Sequence, residues 1–357
     1  MTFLKPRIYK CIRSCTILIG ISFPCLIMLT GCGKTSPDSE ADASSLKFLS
    51  KSGFLLNTEV SVSIYDKQDE AVLEECFNLI KKYEAICSRT DQSSELYKLN
   101  NRTGPHDGEV FHISDELSAL LHSGLYYSGL SKGAFDISVG PLTSLWDFTS
   151  LKPAVPAVSS IQAALPSVDY EYIHLSDNQL RFDNSGTRLD LGAIAKGYIA
   201  DKVKEYLLAA GVGSAIINLG GNVLCVGSKP DGSSFHVGIQ KPFADRNEIV
   251  GLLDIANKSV VSSGIYERFF EIDHVIYHHI LNPETGYPYD NGLISVTIIS
   301  DKSVDGDGLS TSCFALGLEK GLRLIESLPG TYALFITSDY VLHYSRGFKE
   351  AINFTLQ

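Results

Sequence analysis

Leu189-Asp190-Leu191-Gly192-Ala193-Ile194-Ala195-Lys196-Gly197-Tyr198 holds a strand end, a glycine turn and a helix start within ten residues. The helix runs on as an amphipathic stretch and closes at Gly211. A turn that opens a helix this way points free N–H groups outward, which suits a phosphate, and Lys196 adds a point charge beside them. The same residues also fit a tight turn followed by a solvated lysine, so their chemistry depends on what surrounds them.

Upstream, Phe54 to Tyr65 alternates as one strand, with Val60, Val62 and Ile64 on one face and Ser61 and Ser63 on the other. Helical spacing runs through Val72, Cys76, Leu79, Ile80 and Tyr83 between Glu70 and Cys87. A second helix spans Ser114 to Gly129, with Ser114 as its cap. Residues 150–170 hold three prolines and read as a connector with a short helix near Ile161–Leu165. A hairpin turns at Ser176-Asp177-Asn178. Downstream, Ala215–Leu219, Val223–Val226, Phe235–Gln240, Ile249–Ile255, Ser259–Ser263, Phe269–Ile272 and Ser295–Ser300 read as strands. A last helix runs from about Asp307 to Leu328, broken near Gly317. Many antiparallel-looking strands with a few long helices define an α+β body, one catalytic domain over residues 46–357.

The N-terminus belongs to a different class of segment. Lys5, Arg7, Lys10 and Arg13 precede an apolar run from Cys15 to Thr30, which ends in Leu29-Thr30-Gly31-Cys32. This pattern is that of a signal segment over residues 1–31. It resembles a bacterial lipobox, whose cleavage leaves the Cys32 thiol linked to diacylglycerol and its amine acylated. Residues 33–45 are small and polar and read as a flexible tether. The expected location is therefore the extracytoplasmic face of the cell membrane, held by lipid. Removing residues 1–31 takes four of the 30 basic residues, leaving 26 against 41 acidic ones, a net charge of −15. Such a body excludes nucleic acid as a partner and gives anionic lipid no electrostatic hold. Of eight cysteines, Cys76, Cys87, Cys225 and Cys313 lie in the body without metal-site or disulfide spacing, and read as buried free thiols.

Four more motifs carry chemistry. Asn218-Leu219-Gly220-Gly221-Asn222 follows an apolar strand and fits a hairpin turn or a close backbone approach to a ligand. In Ser262-Ser263-Gly264-Ile265-Tyr266-Glu267-Arg268, the spacing pairs Arg268 with Glu267 as a structural ion pair. The adjacent His278 and His279 open His-His-Ile-Leu-Asn-Pro-Glu-Thr-Gly-Tyr-Pro (278–288) and must point apart on extended backbone. One can then reach a cleft as acid or base while the other packs. In Asp307-Gly308-Leu309-Ser310-Thr311, the carboxylate and the last hydroxyl lie one helical turn apart. That pair is hard-oxygen chemistry suited to Mg²⁺, although Asp307 also fits a helix cap.

Taken together, and with Gly133-Ala134-Phe135-Asp136, Val139-Gly140-Pro141-Leu142 and Trp146-Asp147-Phe148, these motifs resemble the ApbE family of FAD:protein FMN transferases. The resemblance runs from about Phe54 to about Leu328. It implies a T-fold-like α+β domain with mixed or antiparallel sheets and an FAD cleft between sub-lobes. It implies Mg²⁺ held by Asp307, Thr311 and the Ala193 carbonyl, with Lys196 near the nucleotide and His279 in proton transfer or orientation. It places Ser263, Gly264 and Arg268 along the FAD cleft and the Trp146 segment in its wall. Where many members carry a Met-Gly-Thr-like step beside the adenine pocket, this chain has Leu56-Asn57-Thr58. Asn57 there bears on the balance between FMN transfer and FAD hydrolysis. The implied partners are FAD and flavoproteins of membrane redox complexes, which offer a Ser/Thr acceptor. The alternatives are a Mg²⁺-dependent FAD pyrophosphatase and a non-catalytic flavin-binding lipoprotein.

Overall fold

Val60, Val62 and Ile64 are fully buried while Ser61 and Ser63 are not, the signature of a strand with one face on a core. In the computed structural model, which describes residues 48–245 and 247–357, that strand is the second of an eight-stranded sheet. Its members are β1 (Leu49–Leu55), β2 (Thr58–Ile64), β3 (Ala215–Leu219), β4 (Asn222–Val226), β5 (Ser259–Gly264), β6 (Leu293–Ser300), β7 (Tyr332–Thr337) and β8 (Leu342–Tyr344). They lie side by side in chain order, and every pairing is antiparallel. The predicted single strand from Phe54 to Tyr65 is therefore a hairpin. Leu55 pairs with Thr58, and both Leu56 (φ 53°) and Asn57 (φ 56°) are left-handed, as a two-residue primed turn requires. The alternation survives across the turn, which hides it from a pattern search.

Four long helices complete the core: α1 (Glu70–Cys87), α2 (Asp115–Leu130), α3 (Ala195–Ala209) and α4 (Ser303–Glu326). Ser114 caps α2 by accepting from Leu117 N at 3.2 Å. Gly211 (φ 79°) ends α3, with Val212 N bonded back to Leu207 O. The α4 helix starts at Ser303, four residues before the expected start, so Asp307 sits in its second turn and is not the cap. Gly317 (φ 78°, ψ 173°) breaks α4 where the sequence placed the break.

Strand β6 is buried at every residue because both faces of the sheet are covered. Leu309, Cys313, Phe314 and Ile325 of α4 belong to the core on one face, with Val296 and Ile298. On the other, Phe235, Val237, Leu253 and Phe348 pack on Val260, Ile299 and Leu334. These come from the smaller sheet of strands Phe235–Gln240, Ile249–Ile255 and Asn353–Leu356, and from a short C-terminal helix. A third apolar cluster gathers Leu142, Trp146, Ile161, Phe270 and Leu281. The four body cysteines are free; three are buried and Cys87 is half-buried. Among the described residues no helix is long and apolar enough to cross a membrane. Residues 1–47, with the leader, the tether and Cys32, lie outside the described residues.

Candidate active site

The register brings several loops to one end of the sheet. β3 leaves through Gly220-Gly221 and returns as β4 at Asn222. The C-terminal half of β5, Ser262–Gly264, continues past β4 and pairs with Ser295–Thr297 of β6. The start of α4 lies against the start of α3, so close that a Cβ on Gly197 would run into the Ser303 carbonyl.

That approach builds the centre of the site. Gly197 N donates to Asp307 Oδ2 at 2.6 Å, and Asn222 Nδ2 donates to Oδ1 at 2.9 Å. Ser303 Oγ donates to Asn222 Oδ1 at 2.6 Å, which orients the amide. In a regular helix the Gly197 N–H would bond to Ala193 O; here it is diverted to Asp307. The Ala193 carbonyl consequently accepts no hydrogen bond among the described residues and sits in an exposed turn. Burial pushes the Asp307 carboxyl upward, and the charge of Lys196 and the two amide donors oppose that shift. One turn on, Thr311 Oγ1 and Ser310 Oγ lie 3.1 and 2.8 Å from Ser263 Oγ.

The two histidines part as extended backbone requires. His278 is buried, with Nε2 2.9 Å from Tyr289 O and Nδ1 accepting from Ile280 N at 3.3 Å. That pattern fixes a neutral imidazole, and burial holds it low, at about 4. His279 is half-buried just past the second strand of a hairpin (Phe269–Ile272, Val275–His278), and its partner is Arg268, just before the first. Its N–H donates to Arg268 O at 3.1 Å, and Nδ1 lies 3.3 Å from the same oxygen. A carbonyl only accepts, so Nδ1 carries the proton and Nε2 is left as an acceptor. Burial first, then the charges of His278, Arg268 and Lys196, push His279 down to about 3.

The structure thus brings together Ala193, Lys196, Ser263, Arg268, His279, Asp307 and Thr311. Gly264 is buried at the end of β5 with the Tyr266 ring against it. Arg268 is exposed and makes no ion pair with Glu267 among the described residues, contrary to the spacing argument; its carbonyl serves His279 instead. Trp146 stands behind the site. Its indole N–H is bonded to Gly286 O at 2.9 Å, and it stacks with Phe148, Phe270 and Tyr277. It supports the histidine-bearing hairpin from within. Asn57 is exposed in its turn and not among the groups around Asp307, although Gly220 N, bonded to Glu59 O, ties that hairpin to the next turn. Sequence reasoning missed Asn222 as a partner of Asp307, because an Asn after Gly-Gly reads as turn chemistry.

A single enclosed carboxylate, a bare carbonyl and a helical hydroxyl make a hard-oxygen donor set, next to cationic groups and a neutral imidazole. No group of three His, Cys, Asp or Glu suited to a metal occurs among the described residues, so any ion here would rely on neutral oxygens for most of its shell. The sheet and its covering helices define an α+β protein. The chain belongs to the ApbE family, whose model matches residues 56–336. It is 38% identical over 292 residues to an FAD:protein FMN transferase of Klebsiella pneumoniae, covering 81% of this chain and 89% of the relative. One from Treponema pallidum is 34% identical over 322 residues, covering 85% and 88%. The crystal structure of the ApbE protein of Thermotoga maritima superposes with a TM-score of 0.77 at 29% identity, over 85% of this chain and 99% of that one. The flavin transferase ApbE of Vibrio cholerae does so with 0.75 at 26% identity and the same coverages.

Proposed function

We propose that this chain transfers FMN from FAD to a serine or threonine hydroxyl of a target flavoprotein and releases AMP. The observation that carries the reading is the diverted Gly197 amide. Among the described residues it leaves the Ala193 carbonyl without a hydrogen-bond partner, near a buried carboxylate that only neutral donors touch. Both features fit Mg²⁺, with Asp307, Thr311 and Ala193 as the residues that would hold it. When bound it supplies Lewis-acid neutralisation of charge on the phosphate oxygens. The chain's own groups do the rest. Lys196 and Arg268 attract the pyrophosphate and hold it near His279. The unprotonated Nε2 of His279 accepts the proton of the attacking hydroxyl. The new bond joins that oxygen to the FMN-side phosphorus, the bond to the AMP oxygen breaks, and AMP leaves with the electron pair. The incoming pyrophosphate opposes the cations that depress His279, so binding raises its basicity at the moment it is needed.

The full chain, FAD, Mg²⁺ and a candidate acceptor should give a protein heavier by one FMN, and EDTA should prevent it. AMP release without that mass gain would replace the transferase by the pyrophosphatase, since water competes for the same phosphorus. We further propose that Cys32 is acylated and holds the domain on the extracytoplasmic membrane face, within reach of flavoproteins of membrane redox complexes. Cys32→Ser should then move the protein from the membrane to the soluble fraction; unchanged membrane retention would sink the anchor.

A further inference from the structure

Behind the catalytic turn lies a polar cavity of about 220 Å³, lined by Arg89, Arg188, Tyr97, Asn101 and Ser144. Pockets for whole small-molecule ligands run from about 300 to 1,000 Å³, so this one suits a group the size of a side chain. Its charge is out of balance. Arg89 Nε lies 3.2 Å from Asp190 Oδ2, and none of the residues lining the cavity is a carboxylate. Arg188 donates only to the Ser185 and Thr187 carbonyls, at 2.7 and 2.9 Å through a single nitrogen, and has no carboxylate partner among the described residues. Arg102 is near enough to feel Arg188, and burial with that repulsion lowers it to about 10. Its guanidinium lies 3.8 Å from the Phe182 ring centroid and donates to Leu99 O and Thr187 O, away from any carboxylate. Two guanidiniums thus line the cavity, and among the described residues only that of Arg89 has an acid partner. The unused donors of a half-buried guanidinium suit the planar, bidentate binding of a carboxylate or phosphate.

The cavity is mechanically tied to the site. Asp190 holds Arg89 and Thr143 Oγ1 through Oδ2, and with Oδ1 it accepts the Gly192 amide at the turn into α3. Its floor is backbone held close: Gly140 N bonds to Arg188 O at 3.1 Å, and Asn100 satisfies both backbone groups of Leu189. We propose that Arg89 and Arg188 bind one carboxylate or phosphate group here, and that in flavin transfer this is an acidic side chain of the acceptor protein. A body of net −15 repels an acidic partner, so a cationic recess beside the catalytic turn decides where such a partner docks. This assignment of the occupant rests on the transferase reading.

The test uses the full chain and its R188Q and R188K variants. Acceptor KM, FAD affinity from flavin fluorescence, and the melting-temperature rise caused by inorganic phosphate are measured for each. R188Q should raise the acceptor KM about tenfold, as loss of a charge-assisted hydrogen bond does. FAD affinity and the rate at saturating acceptor should hold, and R188K should recover part of the loss. Replacing the acceptor's acidic side chains by amides should cost the wild type the same factor and R188Q nothing further. An unchanged KM with a lost phosphate effect would overturn the acceptor assignment in favour of a free-anion pocket. No change in either would overturn the pocket, and weakened FAD binding would make it part of the flavin site. A wild type that transfers no FMN at all refutes the functional reading separately, and the phosphate arm still reads the cavity.

Discussion

A carboxylate as enclosed as Asp307 is stable only while its partners hold, and among the described residues only two groups hydrogen-bond to it. Asp307→Ala should lower AMP release by about 10²-fold or more and remove its response to Mg²⁺; retained Mg²⁺-dependent activity contradicts the donor set. Asn222→Ala leaves the donors in place but frees Asp307 to turn, so apparent Mg²⁺ affinity should fall by about 10- to 100-fold. Magnesium titration of AMP release separates this from a loss of FAD affinity, which should not occur. His279→Ala should lower turnover by about 10²- to 10⁴-fold. In the wild type, an imidazole pushed down to about 3 stays unprotonated through the neutral range. The kcat/KM profile should therefore show no acid limb from His279 between pH 8 and 5.5, and a limb near the ordinary imidazole value would refute the burial argument. Residue spacing revealed Asp307 and Thr311 as neighbours one turn apart. It did not reveal Asn222, 85 positions away, because only β-register carries that side chain to Asp307.

The site depends on how closely α3 and α4 meet, and that closeness is set at Gly197. An added methyl would press on the Ser303 backbone, which cannot swing aside as a side chain tip can. Asp201, one turn along α3, accepts from Ser303 N and Val304 N at 2.8 and 2.9 Å and pins the same end of α4. Gly197→Ala should thus destabilise the fold by about 1–3 kcal/mol and also displace the amide that holds Asp307. Urea unfolding reads the first effect and AMP release in the still-folded variant the second. Normal activity at reduced stability would show that α4 moves without disturbing the carboxylate. Helices α1, α2 and α3 were legible because each shows 3.6-residue apolar spacing, joined in α2 by the Ser114 cap and in α3 by the Gly211 close; the Asp69 cap of α1 emerges only in the structure. The start of α4 was not, since its first turn is capped by Asp201, a residue some hundred positions earlier. The β1–β2 hairpin escaped for a local reason. Leu56-Asn57 occupies a turn where Asn-Gly would announce itself, and the strand pattern runs through it unbroken.

Across the whole domain, protons bind to groups of opposite sign, and this governs stability in mild acid. His278 is held near 4, well under its value of about 6.5 in an unfolded chain. As pH falls through 6.5 the unfolded state takes up a proton that the folded state refuses, so His278 contributes stability above that pH and loses it on acidification. Asp136 and Asp201 behave the other way. Burial raises both to about 6 against their backbone hydrogen bonds, so below that pH the folded state binds protons that the unfolded state does not. These two therefore favour the fold as pH drops from 6 towards 4. The variants should move in opposite directions when urea unfolding at pH 7 and pH 5 is compared with wild type. His278→Gln should lose less stability on acidification, by about 2 kcal/mol. Asp201→Asn should lose more, because one of the compensating protons is gone. Equal pH dependence in both variants would mean that neither group is held away from its ordinary range in the folded protein.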